Sequence, residues 1–234
     1  MHLRQLFDTE SSTYTYLIGD EESGVAALID PVLEKAGEYL SLLEQLELKL
    51  IVAVDTHTHA DHVTALGVLR DRTGCNTMMG QQSFAACLSS KFSADDCITI
   101  GNLRLEVLHT PGHTDDSYSF YLIDKGQPML FTGDTLLIRG TGRSDFQNGD
   151  AKQQYNSLFH CLLRFPEHTL VYPGHDYKGW TVSTIGEEKR YNPRLQVNND
   201  DAYEKLMNNL NLPSPKLMDV AVPANQACGN VSAQ

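Results

Sequence analysis

The amino-acid sequence predicts an α/β protein built from two β-sheets with helices on their outer faces. Strand-like and helix-like segments alternate in both halves of the chain, and neither an internal repeat nor a low-complexity linker interrupts them. Hydrophobic residues make up 41% and charged residues 21% of the 234 residues, which are ordinary values for a globular protein with a sizeable core. The length predicts a single domain over 1–234 with a short C-terminal extension from about residue 200.

The first half of the chain is predicted to contain a hairpin, a buried strand and two helices. Thr13–Gly19 and Val25–Ile29 are rich in β-branched and aromatic residues, and the charged turn between them predicts a hairpin. Glu34–Leu46 and Val63–Arg72 carry apolar residues at helical spacing. Lys49–Val54 is a short apolar run, which is typical of a strand buried on both faces.

The second half alternates in the same way. Helical periodicity predicts helices over Ala151–Leu163, Ser183–Tyr191 and Asp200–Leu210. Short apolar runs separated by turn residues predict strands over Asn76–Met79, Cys97–Ile100, Leu103–Leu108, Ser117–Ile123, Met129–Phe131 and Thr169–Tyr172.

Charge and composition exclude several classes of protein. A net charge of -12 argues against a sequence-blind nucleic-acid binder, which needs basic residues to displace counterions. No apolar run approaches the ~20 residues that span a bilayer, and MHLRQLFDTE resembles neither a signal nor a transit peptide. We therefore expect a cytoplasmic protein that binds neither nucleic acid nor a membrane. The cysteines form no Cys-x-x-Cys pair and are expected to be reduced: Cys75, Cys87, Cys97, Cys161 and Cys228.

The densest group of chemically active residues follows the predicted buried strand Lys49–Val54. The hexapeptide HTHADH, residues 57–62, places three imidazoles and one carboxylate within six residues. A strand end presents such side chains into a cleft while the sheet fixes their positions. Imidazole nitrogen and carboxylate oxygen are ligands of zinc and iron, so this segment predicts a metal site.

Three further candidate ligands recur in a matching context. His113, Asp134 and His175 each follow a predicted strand and come directly after a glycine. Glycine allows close backbone approach and positive φ, which can turn the next side chain into a cleft. The chain therefore has seven candidate ligands, which four strand ends deliver to one site: His57, His59, Asp61, His62, His113, Asp134 and His175.

This HxHxDH…H…D…H pattern resembles the metallo-β-lactamase superfamily. The resemblance implies a four-layer αββα sandwich with the metal site at one edge of the paired sheets. In the dinuclear members of that superfamily, the residues matching His57, His59 and His113 hold one metal. Those matching Asp61, His62 and His175 hold the other, and the match of Asp134 bridges the two.

Longer segments are similar to the persulfide dioxygenases of this superfamily, from about Phe7 to Gly229. They are GDTLLIRGTGRSDFQ (133–147), HDYKGWTVST (175–184), EEKRYNPRL (187–195), NLNLP (209–213) and VPAN (222–225). The resemblance implies one Fe(II) per chain, held by the catalytic residues His57, His113 and Asp134. His59, Asp61, His62 and His175 would then orient these ligands by hydrogen bonding. Spacing alone does not distinguish one metal from two, because all seven positions are present.

The same resemblance implies a reaction and a substrate. Glutathione persulfide and O2 would be converted to sulfite and glutathione in sulfide oxidation. Glutathione carries two carboxylates, so its site should contain arginine and hydrogen-bonding aromatic residues. Arg143 and Tyr177 match glutathione-contacting positions, Arg139 lies on the same loop, and Arg194 is a weaker candidate.

Three other functions remain to be separated from this one. Glyoxalase II, a dinuclear thioesterase that hydrolyses S-acylglutathione, shares the metal motif, but it normally has a helical insertion where this chain has only Lys178–Ile185. A non-catalytic metal-stabilised binding protein is disfavoured because every ligand position is intact. A nuclease is disfavoured because the chain is acidic. The sequence leaves the oligomeric state open, with a homodimer as one alternative.

Overall fold

The computed structural model describes residues 1–210, 212 and 217–229 and confirms the sandwich architecture. Two six-stranded mixed sheets pack face to face, and helices cover their outer surfaces. The first sheet has the spatial order β1 (His2–Phe7), β2 (Tyr14–Asp20), β3 (Val25–Ile29), β4 (Lys49–Val54), β5 (Asn76–Gly80) and β6 (Ser90–Phe92). The second has the order β12 (Ser183–Thr184), β11 (Leu170–Tyr172), β10 (Gln127–Phe131), β9 (Tyr118–Asp124), β8 (Leu103–His109) and β7 (Cys97–Ile100).

Six α-helices lie in the described part of the chain. They are α1 (Ala36–Gln45), α2 (Leu66–Thr73), α3 (Ala151–Asn156), α4 (Ile185–Tyr191), α5 (Asp200–Asn208) and α6 (Met218–Gln226). Asp150 begins α3 by accepting hydrogen bonds from the backbone N–H groups of Lys152 and Gln153. After α3 the helical path continues as a π turn over Ser157–Cys161 and a short 3-10 turn.

Both faces of the central strands are buried, which explains why they appear as short apolar runs in the sequence. Along β2, Tyr16 and Ile18 face the core between the sheets, where they meet residues such as Phe120. Leu17 points the other way and joins the core beneath α1 and α2, with Leu43. Burying a side chain of this size stabilises the fold by about 1.5–3 kcal/mol, so the two sheets hold the strand ends rigidly.

Several elements differ from the sequence-based prediction. The edge strand β1 was not predicted, because it pairs only with β2 and all six of its residues are at least partly exposed. Ser183–Tyr191 was predicted as one helix, but its first two residues pair with β11 as β12 before α4 begins. The helix α6 was also not predicted, and it contains Pro223. Of the NLNLP motif, Asn211 and Pro213 lie outside the described residues.

The expectation that all five cysteines are reduced is wrong for two of them. Cys87 and Cys228 form a disulfide across a sequence separation of 141 residues. Cys75, Cys97 and Cys161 carry free thiols. Sequence spacing gives no information on such a pair, because a disulfide depends on the spatial distance between two Cα atoms. The disulfide joins the segment after α6 to the loop between β5 and β6.

None of the helices in the described segments is long and apolar enough to cross a lipid bilayer.

Candidate metal centre

All seven candidate ligands lie at one edge of the sandwich, and four strand ends bring them there. His57–His62 follows β4, His113 follows β8, Asp134 follows β10 and His175 follows β11. The strands β4 and β10 belong to different sheets, so the site lies where the two sheets face each other. Tyr118 N–H donates to the carbonyl of Thr56 at 2.8 Å and joins the two sheets directly beneath the HTHADH segment.

The glycines that precede the candidate ligands are required for two different reasons. Gly112 and Gly133 have φ of +131° and +48°, so each adopts a backbone conformation that other residues rarely take. Gly174 has no positive φ, but a Cβ atom there would lie 2.8 Å from Asp134 Oδ1. Close approach, and not turn geometry, therefore requires glycine before His175.

Three of the candidate ligands form a group with room for one metal ion. One donor atom each of His57, His113 and Asp134 lies within 4.8 Å of the others. The distance between His113 Nε2 and Asp134 Oδ2 is 3.7 Å. The side chains of His113 and Asp134 are each 11% exposed, so the group is open to solvent on one side.

Hydrogen bonds fix which nitrogen of each imidazole faces this group. His113 Nδ1 lies 2.6 Å from the carbonyl oxygen of Arg143, which can only accept, so Nδ1 carries the proton. The hydroxyl of Thr56 donates to Asp30 Oδ2 at 3.0 Å and therefore accepts from His57 Nδ1 at 2.9 Å. In both rings Nε2 is left with a free lone pair, which is the form that binds a metal.

Electrostatics favours a neutral His57 and an ionised Asp134. Burial lowers the pKa of His57 well below its ordinary value, and the neighbouring His59 and His113 lower it further. Burial raises the pKa of Asp134, but its charge interaction and hydrogen bond with His175 outweigh this, so the carboxyl is ionised. Two neutral imidazoles and one carboxylate fit a divalent ion that keeps open coordination positions.

The second group of candidate ligands consists of His59, Asp61 and His62, whose donor atoms also lie within 4.8 Å of one another. His59 Nε2 bonds to Asp30 Oδ1 at 3.1 Å, and His62 Nδ1 lies 2.8 Å from Asp61 Oδ2. The remaining ring nitrogens, His59 Nδ1 and His62 Nε2, are buried without a hydrogen-bond partner among the described residues. In their neutral forms, the imidazoles of His59 and His62 each have a lone pair available for a second ion.

His175 joins the two groups. Its Nδ1 lies 2.6 Å from Asp134 Oδ1 and its Nε2 lies 2.9 Å from Asp61 Oδ2. Carboxylates only accept hydrogen bonds, so both ring nitrogens donate and the ring is an imidazolium. Burial alone lowers the pKa of His175, but Asp134 and Asp61 raise it well above the ordinary value. In this arrangement His175 orients Asp134 and has no lone pair free for a metal.

Residues that the sequence analysis did not select also build the site. Asp30 accepts hydrogen bonds from Thr56 N–H and His59, and Asp116 accepts from the backbone and hydroxyl of Thr58. Thr13 Oγ1 lies 3.0 Å from Asp61 Oδ2 and 3.1 Å from His175 Nε2. Asp30 directly follows β3, so the rule that selected polar residues at strand ends could have found it. Thr13 and Asp116 lack such a signal.

The proposed substrate residues have different surroundings. Arg139 is paired with Glu187 and with the fully buried carboxylate of Glu188, so both sides of its guanidinium group are occupied. Arg194 contacts the carbonyl and hydroxyl of Thr141. These contacts favour a structural role for Arg139 and Arg194 over glutathione binding.

Arg143 and Tyr177 lie closer to the metal group. Arg143 forms a two-point ion pair with Asp145 on the protein surface, at 2.6 and 2.8 Å. Its own carbonyl oxygen accepts a hydrogen bond from His113, so the loop that carries Arg143 contacts a candidate metal ligand directly. The ring of Tyr177 is stacked near that of His175, with 6.1 Å between centroids, and 73% of the residue is exposed. Both assignments remain predictions.

Comparison with known proteins shows which family has a similar sequence. A sequence model of the metallo-beta-lactamase superfamily matches residues 8–87 and 89–175. The mouse protein named persulfide dioxygenase ETHE1, mitochondrial, is 49% identical over 97% of this chain and 88% of its own length. A hydroxyacylglutathione hydrolase of Dictyostelium discoideum is 30% identical over 83% of this chain and 74% of its own length.

Solved structures agree with the sequence comparison. The crystal structure of ETHE1 from Myxococcus xanthus has a TM-score of 0.94 and 54% identity, with 98% of this chain and 100% of that chain covered. A protein described as TTHA1623 in a di-iron-bound form has a TM-score of 0.66 and 26% identity, with 81% of this chain and 98% of that chain covered. The similarity therefore extends over nearly the whole chain for the first structure and is weaker for the second.

Proposed function

The chain belongs to the metallo-beta-lactamase superfamily and, within it, to the persulfide dioxygenases, and from this premise we propose the details of its reaction. Glutathione persulfide and O2 are the substrates, and sulfite and glutathione are the products. One Fe(II) per chain is the cofactor, and His57, His113 and Asp134 hold it. With one water, each persulfide and O2 give one sulfite, one glutathione and two protons.

One observation carries the proposal, namely the division of the seven candidate ligands into two groups with different surroundings. His57, His113 and Asp134 converge, and the two imidazoles form hydrogen bonds through Nδ1, which leaves Nε2 for a metal. His59 bonds to Asp30 through Nε2, and His175 uses both nitrogens to bond Asp61 and Asp134. Two histidines and one carboxylate on one open face are typical of ferrous oxygenases.

The residues of the chain position the reactants around this face. When bound, iron supplies the redox chemistry that O2 needs and that redox-inert zinc lacks. The carbonyl of Arg143 and the hydroxyl of Thr56 orient the two imidazoles, and His175 orients Asp134. Holding both reactants in one orientation lowers the entropic part of the barrier.

Glutathione is proposed to bind beside the metal group. The Arg143 guanidinium lies on the loop that contacts His113, so it is placed to receive a glutathione carboxylate in exchange for its surface partner Asp145. Tyr177, exposed and stacked near His175, offers a hydroxyl for hydrogen bonding. Arg139 was the third predicted contact and stays a proposal, with its ion pairs to Glu187 and Glu188 as the observation against it.

Oxygen uptake and metal analysis of the purified protein test the function. We expect one iron per chain after growth without added metal, and O2 consumption when glutathione persulfide is added. Asp134→Ala should remove both, because one of the three ligands is lost. His160→Ala is the matched control, since His160 belongs to none of the metal-binding groups found among the described residues. Absence of O2 uptake in the iron-loaded protein would contradict the proposal.

A glutathione thioesterase of the glyoxalase II type is the second candidate. The unpartnered ring nitrogens His59 Nδ1 and His62 Nε2 favour it, because in the neutral imidazoles they allow a second metal. Two metals could activate a hydroxide for attack on the thioester carbonyl. Two metals per chain, hydrolysis of S-acylglutathione and no O2 uptake would establish this alternative in the same assays.

Location and assembly are also proposals. A cytoplasmic location is supported by the free thiols of Cys75, Cys97 and Cys161, whereas the Cys87–Cys228 disulfide is unusual for a reducing compartment. We also propose a homodimer. Cell fractionation and the molar mass in solution test the two proposals separately.

A further inference from the structure

The segment Leu217–Gly229, which we name the C-terminal strap, lies against the HTHADH segment. Within it, the Asn225 side chain is buried, with 1% exposure. Its Nδ2 donates to the carbonyl oxygens of His59 and His62, each at 2.9 Å. Its Oδ1 accepts from the backbone N–H of Thr64 at 2.8 Å. One amide group thus satisfies three backbone groups of the turn that carries Asp61.

The strap fits closely against this turn and against the first residues of α2. The backbone N–H of Gly67 donates to the carbonyl of Cys228 at 3.0 Å, and a Cβ at Gly67 would lie 2.5 Å from that oxygen. At Gly229, where φ is +79°, a Cβ would lie 2.1 Å from the carbonyl oxygen of Thr64. The Cys87–Cys228 disulfide fixes the strap from its other side. Such close contact means that the strap and the turn move together.

A chain of short hydrogen bonds connects this turn to a proposed iron ligand. Asp61 lies between His59 and His62, the residues whose carbonyls Asn225 holds. Asp61 Oδ2 bonds to His175 Nε2 at 2.9 Å, and His175 Nδ1 bonds to Asp134 Oδ1 at 2.6 Å. The other oxygen of Asp134 faces His113 Nε2 at 3.7 Å. A shift of the turn therefore changes the orientation of Asp134.

We propose that Asn225 is a positioning residue of the metal centre, which acts through the Asp61–His175–Asp134 chain and not by contact with metal or substrate. The proposal rests on the proposed function, since it takes Asp134 as the iron ligand. Only an asparagine-sized amide provides both donors and the acceptor here. Aspartate has the same shape, but it lacks the N–H donors and places a carboxylate oxygen beside two carbonyl oxygens. Replacing a residue that hydrogen-bonds a metal ligand typically changes metal affinity or activity by about 10–100-fold, and we expect a change at the lower end of this range for Asn225.

Two variants and a control separate positioning from general stability. Asn225→Asp keeps the shape and the acceptor, and Asn225→Ala removes all three contacts. Ile100→Ala is the control, because Ile100 is fully buried in the core between the sheets on β7, a strand that supplies no residue of the site. Metal affinity is measured by anaerobic titration of the metal-free proteins with cobalt(II), whose visible absorption reports ligand geometry. The kcat and KM for glutathione persulfide are measured on the iron-loaded proteins.

We expect both Asn225 variants to bind cobalt(II) at least about 10-fold more weakly, with a changed absorption spectrum. Their kcat should fall while KM changes little, because no contact with glutathione is altered. The control should lose thermal stability and keep its affinity and spectrum. Wild-type affinity, spectrum and kcat in a folded Asn225→Asp protein would overturn the proposal. An equal loss of affinity in the control would also overturn it, since the effect would then reflect stability alone.

Hydrogen exchange of the wild-type protein tests the coupling without a variant. If the strap and the metal centre are coupled, cobalt(II) binding must slow amide exchange in residues 217–229, because coupling between two sites is reciprocal. Unchanged exchange there would overturn the proposal even if both variants fail to fold. The cobalt(II) titration and the hydrogen-exchange measurement do not depend on the reaction. A wild-type protein without O2 uptake would contradict the proposed function and leave the test of Asn225 intact.

Discussion

Arg139 and Arg143 lie four residues apart on the loop after Asp134, and the guanidinium group of each is suited to binding a substrate carboxylate. Their surroundings differ and indicate different roles. Arg139 N–H donates to Glu188 at 2.8 Å, and its guanidinium is paired with the same buried carboxylate. Arg143 instead pairs with a half-exposed aspartate, Asp145, which water can replace as a partner. We therefore expect opposite effects when each arginine is removed.

Arg139→Ala is expected to lower stability more than substrate affinity. The Glu188 carboxylate would lose its charged partner and keep only uncharged donors, namely the backbone N–H of residue 139, Ser183 and Asn192. Breaking a buried ion pair in this way costs about 3 kcal/mol. Urea denaturation measures the loss, and the KM for glutathione persulfide of the folded fraction should stay near the wild-type value. A stable variant with a raised KM would instead place Arg139 in the substrate site.

Arg143→Ala is expected to raise KM with little effect on stability. A lost charge-assisted hydrogen bond to a glutathione carboxylate is worth about 1.5–3 kcal/mol, which corresponds to about 10–100-fold in affinity. The backbone carbonyl that holds His113 is kept, so the metal content should not change. Steady-state O2 uptake gives KM, and iron analysis is the control. An unchanged KM would exclude Arg143 from the substrate site.

At the scale of elements, a strand end or a short segment fixes several site residues at once. β4, β8, β10 and β11 each deliver one part of the metal centre. The strap Leu217–Gly229 is different, because it contributes no candidate ligand and instead holds the backbone that carries two of them. The Cys87–Cys228 disulfide links this strap to the loop after β5, on the side of the first sheet that α1 and α2 cover.

Reduction of this disulfide is expected to lower stability. A cross-link stabilises mainly by restricting the unfolded chain, and values of about 2–4 kcal/mol are typical for a closed loop of this kind. The midpoint of thermal unfolding should therefore fall when the oxidised protein is treated with dithiothreitol. A Cys87→Ser, Cys228→Ser protein should start at the lower midpoint and show no further change with the reductant. Equal midpoints for the oxidised and reduced wild-type proteins would contradict this expectation.

At the scale of the whole molecule, the metal group joins the two sheets. His57 follows a strand of the first sheet, whereas His113 and Asp134 follow strands of the second. A bound ion therefore holds the two layers together at one edge, in addition to the apolar core between them. An ion that binds only the folded state stabilises it by an amount that grows with its concentration over Kd.

Removal of the metal is expected to lower the unfolding temperature of the whole chain. At a metal concentration about 100-fold above Kd, the stabilisation is about 2.7 kcal/mol. Calorimetry of the chelated and reloaded protein measures the difference. Zinc should restore the stability but not O2 uptake, because it is redox-inert, whereas Fe(II) should restore both. Asp134→Ala is the control and should show little response to either ion.

The sequence alone determined much of this protein. Apolar runs and helical periodicity predicted most strands and helices, because strands buried on both faces must be apolar. The strand-then-glycine pattern placed His113, Asp134 and His175 beside HTHADH, because a rigid sheet brings its strand ends to one edge. The resemblance to persulfide dioxygenases predicted the family, which the comparisons confirmed.

Only the tertiary structure shows which residues remote in sequence are in contact. The Cys87–Cys228 pair, the ion pairs of Arg139 and the three hydrogen bonds of Asn225 join residues at least 48 positions apart. Such contacts leave no periodic signal, because their partners are set by how the layers pack and not by local chain geometry. The same packing turned His175 into a link between Asp61 and Asp134. Residue types and spacing therefore selected the seven candidate ligands, and only the folded chain showed which hydrogen bonds each of them forms.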